Sequence, residues 1–447
     1  YSFSTNTSGN YRERINSRWR VRRRNNLGTV RIWINLNGVD LSEMPSCSTL
    51  ELVVGSNRNL LTTTRYPLIE YGGGYYYANN VSFSNNDYFS VEFTDKIVLN
   101  GTQFLNGSGD SNRPNTSDDC FKLLVTSDAT GSLIQNEDAN VREIEVEAGG
   151  HLVVGDGNRI QVSDGIVVDG DIRLVGSAQV LRTSGTNDVS GTGSLFRDQE
   201  SISTTVYQSG YWSSPVTTNG STYTISGVLK DGSVATTAVA LAGSALDINF
   251  TDVAVLDGSK TTPITISGKW LAKLVNATDW TREIDPSSEV FNPGEGWNMK
   301  TTGGGTQNFT FVGIPNDGTY TSSIDQGRLS LLGNPYPSAL DADSFIADNI
   351  SSITGTLYFY NAGNDSSHNR SDYTGGYATR VSGMGTAFSG GSAPARYIPI
   401  GQGFFVTREI AGTGTVTFQN SQRAFVTVGG SSLFYSKSRK NIKKTSE

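Results

Sequence analysis

The residues able to do chemistry are few. Only His151 and His368 are present, with Cys47 and Cys120, against 42 Asp plus Glu. Nucleophilic hydrolysis needs a base held by a partner. His151 opens an apolar triplet beside Gly149-Gly150, and His368 lies in the polar loop from Asn361 to Gly376. Both read as solvated turn residues without partners, and two His with two Cys do not compose a zinc site. Paired carboxylates remain, since glycoside hydrolysis needs two acids at a fixed separation. Most acids, however, sit in turn tetrads where the side chain caps its own backbone, as at Asp110, Asp128, Asp156, Asp164, Asp257, Asp317 and Asp365. Asp169-Gly170-Asp171 and Asp341-Ala342-Asp343 bring hard oxygen donors close together and are the calcium candidates. Neither completes a 12-residue loop ending in Glu, so turn capping is the competing reading.

Two segments have the chemistry of saccharide recognition. Tyr71-Gly72-Gly73-Gly74-Tyr75-Tyr76-Tyr77 offers aromatic faces on a Gly-rich hairpin, with inward packing of alternate Tyr as the alternative. The long loop 361–395 is rich in Gly, Ser, Asp, Tyr and Arg, and Asp372, Tyr373 and Arg380 are its ligand-binding candidates. Cys47 and Cys120 can form one disulfide if the fold brings them together.

The elements that must position these residues are strands. Fifty-one Gly, abundant Thr, Ser, Asn and Val, and only 3 Met in 447 residues favour an all-β chain, of two or three domains by length. No apolar run approaches the ~20 residues of a membrane-spanning helix. A net charge of −7 speaks against nucleic acid as a partner. Locally, Arg18, Arg20, Arg22, Arg23 and Arg24 crowd one segment, where Trp19-Arg20-Val21-Arg22 alternates like a strand with one wet face; an anionic polysaccharide is the sharper reading. Lys437, Arg439, Lys440, Lys443 and Lys444 crowd the end of the chain.

Three regions and a tail follow. Residues 1–95 alternate in Val30–Leu36, Leu50–Val54 and Tyr88–Phe93, a small β-sandwich. Residues 96–200 carry recurrent apolar triplets starting at Ile144, Leu152, Ile160, Ile166, Ile172 and Gln179, separated by Gly and Asp corners. Strands so short at so regular a pitch wind into a β-solenoid of three or four coils, a short spacer. Residues 201–430 hold aromatic strands such as Leu357-Tyr358-Phe359-Tyr360, a larger sandwich-like module with a helical turn or two in Ser338–Asn349. Residues 431–447 are a polar basic tail that resembles the start of an interrupted further module.

Within the third region, Pro293-Gly294-Glu295-Gly296-Trp297, Gly333-Asn334-Pro335-Tyr336-Pro337-Ser338-Ala339-Leu340-Asp341 and Ile400-Gly401-Gln402-Gly403-Phe404-Phe405-Val406 stand out. Together they resemble a module common in large modular proteins that bacteria of the Bacteroidota export through the type IX secretion system. Asn316-Asp317-Gly318-Thr319 and Gln419–Arg423 match the same pattern. The first region, with Asn86-Asp87-Tyr88-Phe89, resembles another β-rich module of such proteins. The resemblance implies an extracellular or outer-membrane-attached location, and a sorting domain beyond Glu447 that engages the export machinery. The expected role is a non-catalytic adhesin or display protein, with extracellular polysaccharide or other surface proteins as partners. Its alternatives are a structural subunit of a surface assembly and a carbohydrate-active enzyme or binding module on the solenoid, built on Asp169, Asp171, Arg159 and Arg173.

Overall fold

A computed structural model describes residues 2–6, 10–25, 28–134, 136–232, 245–276, 279–324, 329–363, 365–389, 391–409, 411 and 414–427. The basic cluster from Lys437 to Lys444, with the tail around it, lies outside the described residues. The chain is all-β: the longest described helix is Ala342–Asn349, just after Pro337, and its Asp341 cap accepts from the amides of Asp343 and Ser344.

In the first region, strands Phe3–Thr5, Glu13–Ile15, Tyr88–Phe93, Glu51–Gly55 and Thr64–Pro67 form one sheet. Thr29–Asn35, Tyr75–Ser82 and Ile69–Gly72 form the other. Alternation dictates the packing: along Thr29–Asn35 every second residue is exposed, while Val30, Ile32 and Ile34 face a core of Leu52, Val54, Ala78, Val81 and Val91. The Arg segment alternates as its sequence implies, with Arg18, Arg20, Arg22 and Arg24 exposed and Trp19 stacked on Phe89. Arg14 and Glu92 are a buried ion pair within the first sheet, and two further donors of Arg14 reach the carbonyls of Asn59 and Leu60 at 2.8 and 3.2 Å.

The second region is a three-sided solenoid whose sides are parallel sheets. One side stacks Lys96–Asn100, Lys122–Val125, Glu143–Val146, Ile166–Val168 and Val189–Ser190. The second stacks Thr130–Ile134, His151–Val154, Asp171–Leu174 and Ser194–Ser203; the third stacks Ala139–Val141, Arg159–Val162 and Gln179–Arg182. About three coils result, within the expected range. In-register pairing places like on like: Leu123, Ile144 and Ile166 form one buried ladder, and Leu152, Ile172 and Leu195 another. One corner is glycine for lack of space. A Cβ on Gly170 would lie 2.2 Å from the carbonyl oxygen of Gly150, and one on Gly193 would lie 1.8 Å from that of Gly170. Cys47 and Cys120 are disulfide-bonded across a Cα separation of 6.2 Å, tying the sandwich to the first coil.

Ser194–Ser203 crosses residue 200 without a break. It is the last rung of the second solenoid side and pairs antiparallel over nine residues with Gly305–Pro315 of the third region. The apolar core is correspondingly continuous from Ile97 to Phe311.

Three of the segments that stood out in the sequence, residues 316–319, 333–341 and 419–423, converge on the third coil. Asp317 accepts from Arg182 Nε at 3.0 Å, Arg423 Nη1 at 3.1 Å and Asn420 Nδ2 at 2.9 Å, all buried. Arg423 also donates to the Val180 carbonyl at 2.7 Å and lies over the Tyr336 ring. Burial pushes Arg423 down to about 10. Asn334, fully buried, donates to the carbonyls of Ser338, Ile398 and Pro399 and accepts from the Tyr336 amide. The Gly333–Pro337 turn is thus a structural hub, and the described cis peptide bond lies elsewhere, at Thr262-Pro263.

Candidate functional site

Beyond this hub, two sheets of the third region meet at an open cleft of about 240 Å³. The first is Ser209–Trp212, Trp297–Lys300, Ala272–Asn276 and Asp279–Arg282. Its pairing sets Tyr211 opposite Asn298, Ser209 opposite Lys300, and Ala272 opposite both Asn298 and Arg282. These residues therefore share one face. Trp212, Trp297 and Met299 point the other way into the core. The second sheet contributes Tyr360 and Tyr377, directly paired across Ile353–Asn361 and Gly376–Val381. Its buried neighbours Phe359 and Ala378 belong to the core face. Trp270 and Tyr373 close the cleft from short turns.

The aromatic wall is connected. The Tyr211 ring lies 5.5 Å from Tyr360, 4.8 Å from Phe405 and 6.0 Å from Trp280, and Tyr360 lies 5.5 Å from Tyr377. Burial raises the hydroxyl pKa of Tyr211, Tyr360, Tyr373 and Tyr377, so these side chains stay neutral donors. Lys300 is only 3% exposed, and its ammonium sits 3.9 Å from the Trp270 ring and donates to Tyr373 Oη at 2.6 Å. Burial pushes Lys300 down to about 8, against the pull of Asp365 and Asp257.

His368 departs from the sequence expectation. Its ring stacks on Trp270, its Nδ1 is 3.1 Å from Lys300 Nζ, and its Nε2 is 2.7 Å from Asp257 Oδ1. The polar loop folds back onto the sheet, and Asp257 comes from a turn 111 residues away, a pairing that local sequence cannot display. His151 also has a partner, Asp171 Oδ2 at 3.1 Å on the next coil, because parallel stacking sets position 151 beside 171.

The remaining candidates are dispersed. Asp169 accepts from the amide of Thr192 at 3.0 Å and caps a corner, while Asp171, raised by burial, faces His151. Arg173 is buried against Asp198 at 2.7 Å, and Arg159 lies on the third side with Asn140 and Gln161. The four residues of the solenoid reading are therefore not assembled into one site. Asp341 is held by Arg396 at 2.7 Å and Asp343 by Arg380 at 2.7 Å, so both calcium candidates already face guanidinium groups. Among the described residues, no cluster of three or more His, Cys, Asp or Glu is disposed to hold a metal.

Of the loop candidates, Tyr373 lines the cleft and Asp372 binds Ser367 Oγ at 2.6 Å beside it. Arg380 points through the sheet to the opposite face, as its pairing with the buried Leu357 requires. The hairpin tyrosines form a separate patch: Tyr71 is 73% exposed, and Trp33 lies 5.1 Å from Tyr71 and 5.0 Å from Tyr77. Tyr75 is also exposed, whereas Tyr76 turns toward the sandwich core. Sequence reasoning missed Trp270, Trp280, Tyr211, Tyr360, Tyr377, Lys300, Arg282 and Arg370. Alternation was the available signal: Asn298-Met299-Lys300 and Trp280-Thr281-Arg282 each place two polar or aromatic residues on one strand face.

Residues 248–447 match the family model of a domain of unknown function, DUF8693. That span contains every cleft residue except Ser209 and Tyr211. No curated protein and no solved structure matches the chain. Among the described residues, no helix is long and apolar enough to cross a membrane.

Proposed function

We propose that the protein is a non-catalytic saccharide-binding adhesin displayed at a bacterial cell surface, and that the aromatic cleft is its binding site. The observation that carries the reading is the cleft's wall of Tyr211, Trp280, Tyr360 and Tyr377 beside the polar Ser209 and Asn298. Sugar rings present apolar C–H faces and hydroxyl edges, so aromatic faces next to short polar side chains complement them. The solenoid and sandwich act as spacers, and copy number multiplies a weak single-site affinity. The resemblance to type IX exported modules, with the disulfide, supports an extracellular setting. The patch of exposed Trp33 and Tyr71 with the half-buried Tyr77 supports a second contact with polysaccharide or with another surface protein.

The test is a glycan array probed with the full chain and with Trp280→Ala, with product analysis of each hit. Retention without cleavage, lost in Trp280→Ala while the melting curve is unchanged, is the expected result. Cleavage would replace the adhesin reading with a carbohydrate-active enzyme, and no retention on any glycan would favour a purely structural subunit.

A further inference from the structure

The charge of the cleft is not accounted for by stacking alone. Lys300, Arg282 and Arg370 all line it, and none of the three has an ion-pair partner within 4.0 Å among the described residues. Several other cations of the same module are paired. Lys273, in a neighbouring recess of about 420 Å³, is paired with Glu289 at 3.1 Å and Glu295 at 3.6 Å. Arg380 and Arg396 are taken up by Asp343 and Asp341, and the buried Arg182 and Arg423 by Asp317. The overall charge is −7, so three cations gathered in one cleft with no acid at ion-pair distance among the described residues run against the surrounding field, with Asp365 and Asp257 acting on Lys300 only from farther off. Lys300 is also fixed in place: Tyr373 Oη and His368 Nδ1 hold its ammonium, and the Trp270 face lies beneath it.

On the reading of the cleft as a saccharide site, we infer that its ligand is an acidic sugar, whose ring stacks on the aromatic wall while its anionic group is received by Arg282, Arg370 and Lys300. Guanidinium and ammonium donors give charge-assisted hydrogen bonds to a carboxylate or a sulfate, about twice as strong as neutral ones. Ser209 and Asn298 remain for hydroxyl groups.

Calorimetric titration of the full chain separates this inference from the saccharide reading itself. The probes are a galacturonate tetramer, a sulfated galactan tetramer and a neutral galactan tetramer, at low and high salt. The expected result is binding of at least one acidic probe at least about tenfold tighter than the neutral one, weakened by salt, because the contact is ionic. Preference between the two acidic probes tells carboxylate from sulfate. Arg282→Gln and Arg370→Gln, at exposed positions, should each lower affinity for the acidic probe several-fold without changing the melting temperature. Equal binding of the neutral and acidic probes, unaffected by those substitutions, would overturn the acidic preference and leave the saccharide site standing. Absence of binding by all three probes, with an empty glycan array, would overturn both.

Discussion

Replacing Asp317 by Ala removes the acid that two buried guanidinium groups share. Arg182 and Arg423 are 1% and 0% exposed in their side chains and lie 3.0 and 3.1 Å from opposite oxygens of that carboxylate. With the acid gone, Arg182 would keep only the partly exposed Asp188 at 3.4 Å and Arg423 no ion-pair partner among the described residues, so two positive charges would face each other in the seam between the third coil and the C-terminal module, and the Asn420 amide would lose an acceptor. Breaking a buried pair this way costs about 3–5 kcal/mol, because an uncompensated charge stays behind. For a cooperative unit of some 150–250 residues that is on the order of 10 °C in melting temperature. The exposed pair Lys230–Asp247, 2.7 Å apart with Asp247 87% exposed, is the control, and Asp247→Ala should cost less than about 1 kcal/mol. Urea and thermal melts at neutral pH measure both. A double variant, Asp317→Ala with Arg182→Met, should recover part of the loss, since one stranded charge is removed with the acid. If Asp317→Ala melts within about 1 kcal/mol of the parent, or no lower than Asp247→Ala, the seam is not held by this network and the argument fails.

Three further outcomes are expected. Cys47→Ser with Cys120→Ser should lower stability by about 2–4 kcal/mol, given the 73-residue separation that the bond closes, and the parent denatured without reductant should show no free thiol. Gly170→Ala should destabilise by roughly 1–3 kcal/mol, since its Cβ would press on the Gly150 carbonyl, whereas Gly185→Ala, with open space around the added atom and no positive φ, should cost less. Affinity for an acidic saccharide should fall as pH rises from 7 to 9, because burial pushes Lys300 down to about 8 while the buried tyrosines stay neutral. Asp257, Asp365 and His368 also face Lys300, so the profile is read against Lys300→Met, which should flatten it.

Much of this architecture is legible where structure is local. Period-two alternation at Thr29–Asn35 predicts a half-buried strand, and the spaced triplets from Ile144 to Leu181 predict stacked rungs. The first coil, from Lys122 to Val141, is less visible because Lys122-Leu123-Leu124-Val125 stands apart from the regular triplet spacing. Asp317, Tyr336 and Arg423 stand out as residues, but their common purpose depends on meeting Arg182 of the solenoid, 135 positions before Asp317. The cleft is hidden for the same reason. Its residues come from six separated segments, and their shared face follows from sheet register, which residue types do not specify. Asp257 beside His368 is the sharpest case, as an acid that reads as a turn cap orients a ring from a distant loop.

The strand Ser194–Ser203 gives the molecule a mechanical character. Being at once the final rung of a solenoid side and the partner of Gly305–Pro315, it allows no flexible joint between rod and module. A pull on one is passed to the other through rows of backbone hydrogen bonds, with the Cys47–Cys120 bond as a covalent rivet at the far end of the rod. Tension on either part would therefore reach the cleft as displacement of a rigid body rather than as distortion of its aromatic wall.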